Sequence, residues 1–351
     1  MTLSTAPAQN AATSSRNKYL DILEAAWQQH LAPRAANAPT VISMFAGAGG
    51  SSLGYSMTGY RELLAVEWDN NAVETFKLNF PDIPVYHGDI AKLSVEQCMD
   101  IAGIAAGELD VLDGSPPCQG FSTAGKRVLD DPRNQLFYEY MRLLRGLQPK
   151  VFVIENVSGM VKGKMKLIFV NILRELKASG YQVSARLMNV MYFNVPQSRQ
   201  RIIFIGVRED LGIAPSHPKA ESRPFTVQDA IDHLPKGQQG THKPQVIEAW
   251  FASKPGVSLR KTRRFVGSFQ SVRLHPNRPS PTQIKSHLHW HYALPRQLNI
   301  TEAGLVASFP ETFKWSGSKD DCKDRIGNSV PPLFMRSIAA HIREHILEQV
   351  E

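Results

Sequence analysis

The sequence is poor in cysteine. Its three, Cys98, Cys118 and Cys322, are too scattered for a paired framework or a Cys-x-x-Cys metal knuckle. A disulfide-stapled secreted scaffold is thereby excluded, and a reducing compartment, the cytoplasm, is expected. No run of 18 apolar residues occurs, so there is no candidate transmembrane helix. Residues 1–17 hold no acidic side chain, one basic side chain (Arg16) and no apolar leader, and a disordered tail is expected there. Acidic residues run short in one further place. From Asp210 to Ile300 there are 5 of them against 13 Lys and Arg, whereas the rest of the chain carries 27 of each sign. The net charge of +8 therefore sits in one segment. It points to a local polyanion-binding surface rather than a generally basic protein.

What the chain does have is an ordinary apolar content, 42% of 351 residues, enough for a large domain and a smaller one. Leu20, Leu23, Trp27 and Leu31 share one side of a helix predicted over Tyr19 to Leu31, which Pro33 and Pro39 end. From Val41 short β-rich runs at 41–45, 63–67, 85–89, 110–114, 151–155, 184–190 and 201–207 alternate with helical patterns at 69–79, 94–104, 134–146 and 164–179. That order predicts an α/β fold with a mostly parallel, Rossmann-like sheet, whose ligands bind at the carboxyl ends of the strands. The expected organisation is an extension over 1–40, a catalytic domain over 41–209, a smaller basic domain over 210–321, and a segment over 322–351 that returns to the first domain.

Four motifs lie at predicted strand ends. Phe45 to Gly54 reads Phe-Ala-Gly-Ala-Gly-Gly-Ser-Ser-Leu-Gly between a strand and a helix, where glycines permit a tight turn and close approach of a ligand. It is not the dinucleotide fingerprint, because Ser52 stands where that pattern needs glycine. Glu67 ends the next strand and suits ribose hydroxyls, Trp68 can stack on a purine, and Asp89 ends the third strand. Together they describe a site for an adenosine-containing cofactor. Next, Gly114-Ser-Pro-Pro-Cys-Gln-Gly-Phe-Ser122 puts Cys118 in a loop at the sheet rim, a setting for a nucleophile rather than for core packing. Glu155-Asn-Val157 offers a carboxylate that is either a capping residue or a general acid/base. Finally, alternation along Gln197-Ser-Arg-Gln-Arg201 would put Gln197, Arg199 and Arg201 on one face, for phosphate, for a substrate carbonyl, or as a solvated edge.

In this order the motifs resemble those of the DNA (cytosine-5)-methyltransferase family. Arg278-Pro-Ser-Pro-Thr282 with Leu305 to Pro310, and Ile326-Gly-Asn-Ser-Val-Pro-Pro332, are similar to that family's last two motifs. Only residues 1–40 and about 210–277 match nothing family-wide, and the latter corresponds to the family's variable target-recognition region. The resemblance implies an S-adenosylmethionine methyltransferase fold acting on double-stranded DNA. It implies that Cys118 attacks C6 of a flipped cytosine, that Glu155 holds or protonates N3 and the amino group, that Arg199 meets the base carbonyl and that Arg201 supports the loop. Phe45, Ala46, Gly47, Gly49, Gly50, Glu67, Trp68, Asp89, Ile90, Pro117, Leu136, Asn328 and Ser329 would line the S-adenosyl-L-methionine pocket. Gln119, Ser122, Lys126, Arg127 and Gln197, with Arg260, Lys261, Arg263 and Arg264 of the densest basic cluster, would contact the DNA.

A metal is not expected: His287, His289 and His291 alternate, but no Cys or carboxylate stands near to complete a site. A tRNA-methylating branch with the same motifs is the alternative substrate reading, yet its Cys-Phe-Thr signature does not occur here. An inactive DNA-binding scaffold is the alternative outside enzymes, and Cys118 and Glu155, whose loss would signal it, are both present. The resemblance also suggests a monomer that acts apart from a cognate restriction endonuclease, if one exists.

Overall fold

The computed structural model describes residues 17–117, 132–161, 166–237, 242–261, 271–285 and 287–350. Nine strands are assigned among them: β1 (Thr40–Met44), β2 (Arg61–Glu67), β3 (Val85–His87), β4 (Val111–Gly114), β5 (Val151–Val157), β6 (Tyr181–Asn189), β7 (Gln197–Ser198), β8 (Gln200–Arg208) and β9 (Ser280–Pro281). Seven form one sheet in the order β3-β2-β1-β4-β5-β8-β6. The pairs from β3 to β5 are parallel, and β8 runs antiparallel between β5 and β6. β7 and β9 make a separate two-stranded pair.

The period of two along each strand divides the core. Val41, Val111, Val151, Val153, Ile203 and Ile205 join one apolar cluster, and their neighbours Ile42, Leu112, Phe152, Ile154, Ile202 and Phe204 join another. The second cluster is closed by Phe137, Tyr140, Leu144 and Leu147 of helix Pro132–Leu147 and by Ile172 and Leu176 of helix Lys166–Lys177. The first is closed by Leu53 and Tyr55 of helix Gly50–Ser56, by Leu333 to Ile342 of helix Pro332–His345, and by Tyr19, Leu23 and Trp27 of helix Lys18–Leu31. Gly54 allows the first two helices to touch, since a Cβ there would stand 2.5 Å from Met335 Cβ and 2.8 Å from Pro332 O.

Helix Lys18–Leu31 is capped by Asn17, whose side chain accepts from Tyr19 N and donates at 2.6 Å to Asp229 O. Tyr19 donates its hydroxyl to Leu305 O. The expected tail over residues 1–16 lies outside the described residues. Beyond residue 210, Val227, Ala230, Leu274, Leu288 and Leu298 share the first cluster, and Trp250, Leu259 and Trp290 form a small cluster of their own. No helix among the described residues is long and apolar enough to cross a membrane.

Candidate active site

The carboxyl ends of the parallel strands open on one cleft of about 870 Å³, within the roughly 300–1,000 Å³ of pockets that enclose small organic ligands. One wall is Phe45 to Ala48, Gly50, Ser51, Glu67 and Trp68. The facing wall is Ser115 to Pro117 with Glu155 to Val157, and Arg199, Arg201, Lys285, Arg325 and Gly327 to Val330 complete it.

The first wall follows from a sharp turn after β1. Phe45, Gly47 and Gly49 have φ of 59°, 57° and 89°, and Gly49 caps helix Gly50–Ser56. At Gly47 a Cβ would meet nothing within 4 Å, so the backbone lies open to the cleft. Gly49 differs from the expectation: it does not line the cleft, and a Cβ there would strike Phe80 Cε2 at 2.4 Å. Its role is the turn and the packing behind it. Glu67 is oriented by three backbone donors, Gly47 N to Oε2 at 2.8 Å and Trp68 N and Asp69 N to Oε1 at 2.9 Å. Trp68 beside it is 76% exposed, a flat apolar face at the rim. Asp89 caps the turn Ile90–Lys92 through Ala91 N, while Ile90 and Leu136 pack in or against the second cluster. None of these three is among the cleft-lining residues.

On the facing wall, Glu155 Oε1 lies 2.5 Å from Arg201 Nε. That Nε makes no aligned hydrogen bond, so the contact is an ion pair held by proximity. Asn156 Nδ2 donates at 3.0 Å to Pro116 O, tying the Glu-Asn-Val motif to the loop that leads into Cys118. Cys118 itself, with Gln119, Ser122, Lys126, Arg127, Arg263 and Arg264, lies outside the described residues, as does the side chain of Arg260; Lys261 is exposed.

The arginines and Gln197 depart from the roles expected of them. Arg199 is 3% exposed, and its Nη1 donates to Gln283 O at 3.0 Å and Gly327 O at 2.9 Å. Burial, with Arg201 adding and Glu155 opposing, lowers its pKa to about 9. The ion pair with Glu155 is made by Arg201, while Arg199 feels that carboxylate's charge without pairing with it. Gln197 is buried, and its Oε1 accepts from Gln283 N, because the Gln197–Ser198 strand pairs with β9 instead of continuing β8 as one extended edge.

Beneath the first wall stand two carboxyls that the sequence did not single out. Burial lifts Asp113 to about 7, with the charge of Glu155 adding and hydrogen bonds from Ser51 and Tyr55 opposing. Burial likewise lifts Glu62 to about 8, against hydrogen bonds from Ser43 and Ser52. Lys285 and Arg325 were also missed, although each lies close to a quoted motif. Arg325 pairs with Asp69 at 3.2 Å, and Lys285 Nζ is 3.9 Å from Asp324.

Among the described residues of the basic segment, two arginines are engaged inside the fold. Arg273 lies 3.7 Å over the Trp250 ring and donates to Tyr292 O and Ser253 O, and Arg296 forms a bidentate pair with Glu302, both contacts at 2.7 Å. His289 contacts Val272 N and Thr282 O through its two ring nitrogens, and His291 Nδ1 accepts from Ala293 N and Leu294 N. No three of His, Cys, Asp and Glu gather as a metal set among the described residues.

Residues 39–344 match the family model described as C-5 cytosine-specific DNA methylase. The Type II methyltransferase M1.HphI of Haemophilus parahaemolyticus is 35% identical over 322 residues, 86% of this chain and 85% of that protein. The Type II methyltransferase M.NgoPII of Neisseria gonorrhoeae is 32% identical over 343 residues, 90% and 98% of the two chains. Among solved structures, a DNA modification methyltransferase encoded within an E. coli prophage superposes with a TM-score of 0.76 at 26% identity, over 88% of this chain and 100% of that one. A Spodoptera frugiperda DNMT2 structure, at TM-score 0.64 and 18% identity over 85% and 98%, shares the fold.

Proposed function

The chain belongs to the C-5 cytosine-specific DNA methylase family, and from that membership we propose how its cleft divides the work of a DNA cytosine-5-methyltransferase. The wall of Phe45 to Gly47, Gly50, Glu67 and Trp68, closed by Asn328 and Ser329, takes S-adenosylmethionine. The residues fit it: Glu67 presents an oriented carboxylate for ribose hydroxyls, Trp68 a free face for adenine, and Gly47 an open backbone. When bound, that molecule supplies the methyl group.

The facing wall takes the cytosine. A stacked base cannot present C6 to a thiol, so the nucleotide leaves the duplex, at a cost of a few kcal/mol (roughly). The Cys118 thiolate forms a bond to C6, and Glu155 shares a proton with N3, which drives the electron pair toward C5 and makes that carbon nucleophilic. Once C5 carries the methyl group, a water molecule takes the C5 proton, the freed pair forms the C5=C6 double bond, the S–C6 bond breaks to return the Cys118 thiolate, and the N3 proton goes back to Glu155. Arg201, held against Glu155, is the cation placed to meet the base carbonyl; this assignment replaces Arg199, whose Nη1 already has two acceptors. The observation that carries the reading is the Glu155–Arg201 pair facing Glu67 and Trp68 across one cleft, with Pro117, the residue before Cys118, on its wall.

The basic segment after Asp210, Lys261 included, with Gln119, Ser122, Lys126 and Arg127, contacts double-stranded DNA and sets a short target sequence. Like the Type II relatives, the protein serves a restriction-modification system, as a cytoplasmic monomer acting apart from any cognate endonuclease. Modified-base sequencing of DNA from an expressing bacterium tests this. Expected is 5-methylcytosine at one short motif, absent with Cys118→Ser; methylation that survives the substitution would overturn the nucleophile.

A further inference from the structure

Three chain segments meet at the Arg199 guanidinium. Its Nη1 is shared by the carbonyls of Gln283 and Gly327, which are 84 and 128 residues away in sequence. Gln197, two residues before it, accepts from Gln283 N at 3.2 Å, so the same loop is gripped at both its N–H and its carbonyl. The gripped segments also touch directly. A Cβ on Gly327 would lie 2.4 Å from Lys285 N and 2.5 Å from Ile284 C, which leaves no room for a side chain between them. Asn328 and Ser329 follow Gly327 immediately and line the cleft, as do Arg199 and Arg201; in the function proposed above the first two lie toward the cofactor and Arg201 toward the cytosine.

We propose that Arg199 is a positioning residue that locks the cofactor wall to the base wall, acting through the backbone at Gln283 and Gly327 and never touching the base. The proposal rests on the reading that cofactor and cytosine share this cleft. Arginine suits the task because the two N–H bonds of Nη1 are fixed in the guanidinium plane and so meet two set acceptors, whereas the three donors of a lysine ammonium rotate freely. Removing the guanidinium leaves two enclosed carbonyls without their donor, and the loop through Asn328 and Ser329 is released from the link between β7 and β8. Two neighbouring arginines of one motif then have separable duties: Arg201 acts on the base, and Arg199 holds the place where both ligands sit.

The consequence is a defect that appears with no DNA present. Titration calorimetry of the full chain with S-adenosylmethionine alone reads it. Arg199→Met is expected to weaken binding by about tenfold, Arg199→Lys by less, and Arg201→Met by under about twofold, since a base contact has nothing to hold in the absence of DNA. Should Arg199→Met not fold, judged by its circular dichroism, Arg199→Lys carries the comparison with Arg201→Met. A wild-type chain that binds the cofactor, with Arg199 variants that bind equally well, overturns the inference and leaves the reading of the cleft standing. A wild-type chain that binds no S-adenosylmethionine overturns both.

Discussion

At the carboxyl edge of the sheet, Glu155 and Arg201 hold their charges against an open cleft, whereas beyond residue 210 Arg273 and Arg296 turn theirs inward, onto a tryptophan face, backbone carbonyls and a buried carboxylate. The two regions differ because their cores differ. The sheet buries two broad apolar clusters, one on each face, and its backbone is paired strand to strand. Glu155 and Arg201 there pair with each other and line the cleft. Among the described residues the later segment has one small cluster of its own, Trp250, Leu259 and Trp290, contributes Val227, Ala230, Leu274, Leu288 and Leu298 to the first cluster, and is tied mostly by isolated β-bridges. Arg273 and Arg296 donate to loop carbonyls there, so these two act as fasteners of the local fold.

The contrast can be broken by removing one charge from each side. Glu155→Gln is expected to lower kcat by about 10²–10⁴-fold while the melting temperature stays within about 2 °C; an unstable but active variant would erase the distinction. Arg296→Met is expected to do the reverse. It leaves Glu302, 2% exposed, without its paired guanidinium, since burial holds His291, 3.8 Å away, neutral near pH 7, a loss of about 3–5 kcal/mol in urea unfolding. Adding Glu302→Leu should recover much of it. Weakened DNA binding at unchanged stability would instead make Arg296 a contact residue.

A smaller effect sharpens the picture within the sheet. Asp113 titrates near 7 in the fold against an ordinary 3.8. Between those values the folded chain keeps a proton that the unfolded chain has released, so stability falls as pH rises from about 4 to about 7. Asp113→Asn escapes that fall. Its gain in melting temperature should be larger at pH 8 than at pH 5, and an equal gain at both would remove burial of this carboxyl as the cause.

The sheet was legible because short β-rich apolar runs alternating with helical patterns mark strands buried on both faces, and Glu67 and Glu155 were legible because they stand where those runs end. The division of labour between Arg199 and Arg201 was not. Both occupy the same motif, and what separates them is which distant carbonyls come near, Gln283 and Gly327. Gln197 misled for a related reason, since alternation assumes one continuous strand and the chain turns between Gln197–Ser198 and Gln200–Arg208. Asp113 and Glu62 were missed because their shifted titration arises from burial, and an isolated acidic letter does not announce that.

The helix over Lys18–Leu31 carries a consequence for how the chain assembles. Its C-terminal end has partners nearby in sequence: His30 Nδ1 lies 2.6 Å from Ser56 Oγ, and Arg34, just past the helix, donates to Tyr60 O. Its N-terminal end does not, for Asn17 reaches Asp229 and Tyr19 reaches Leu305. During synthesis the 286 residues that separate Tyr19 from its acceptor take roughly 15–60 s to emerge. The contacts at the C-terminal end of the helix can therefore form well before those at its N-terminal end, and Tyr19 has no acceptor at Leu305 until that part of the chain has emerged.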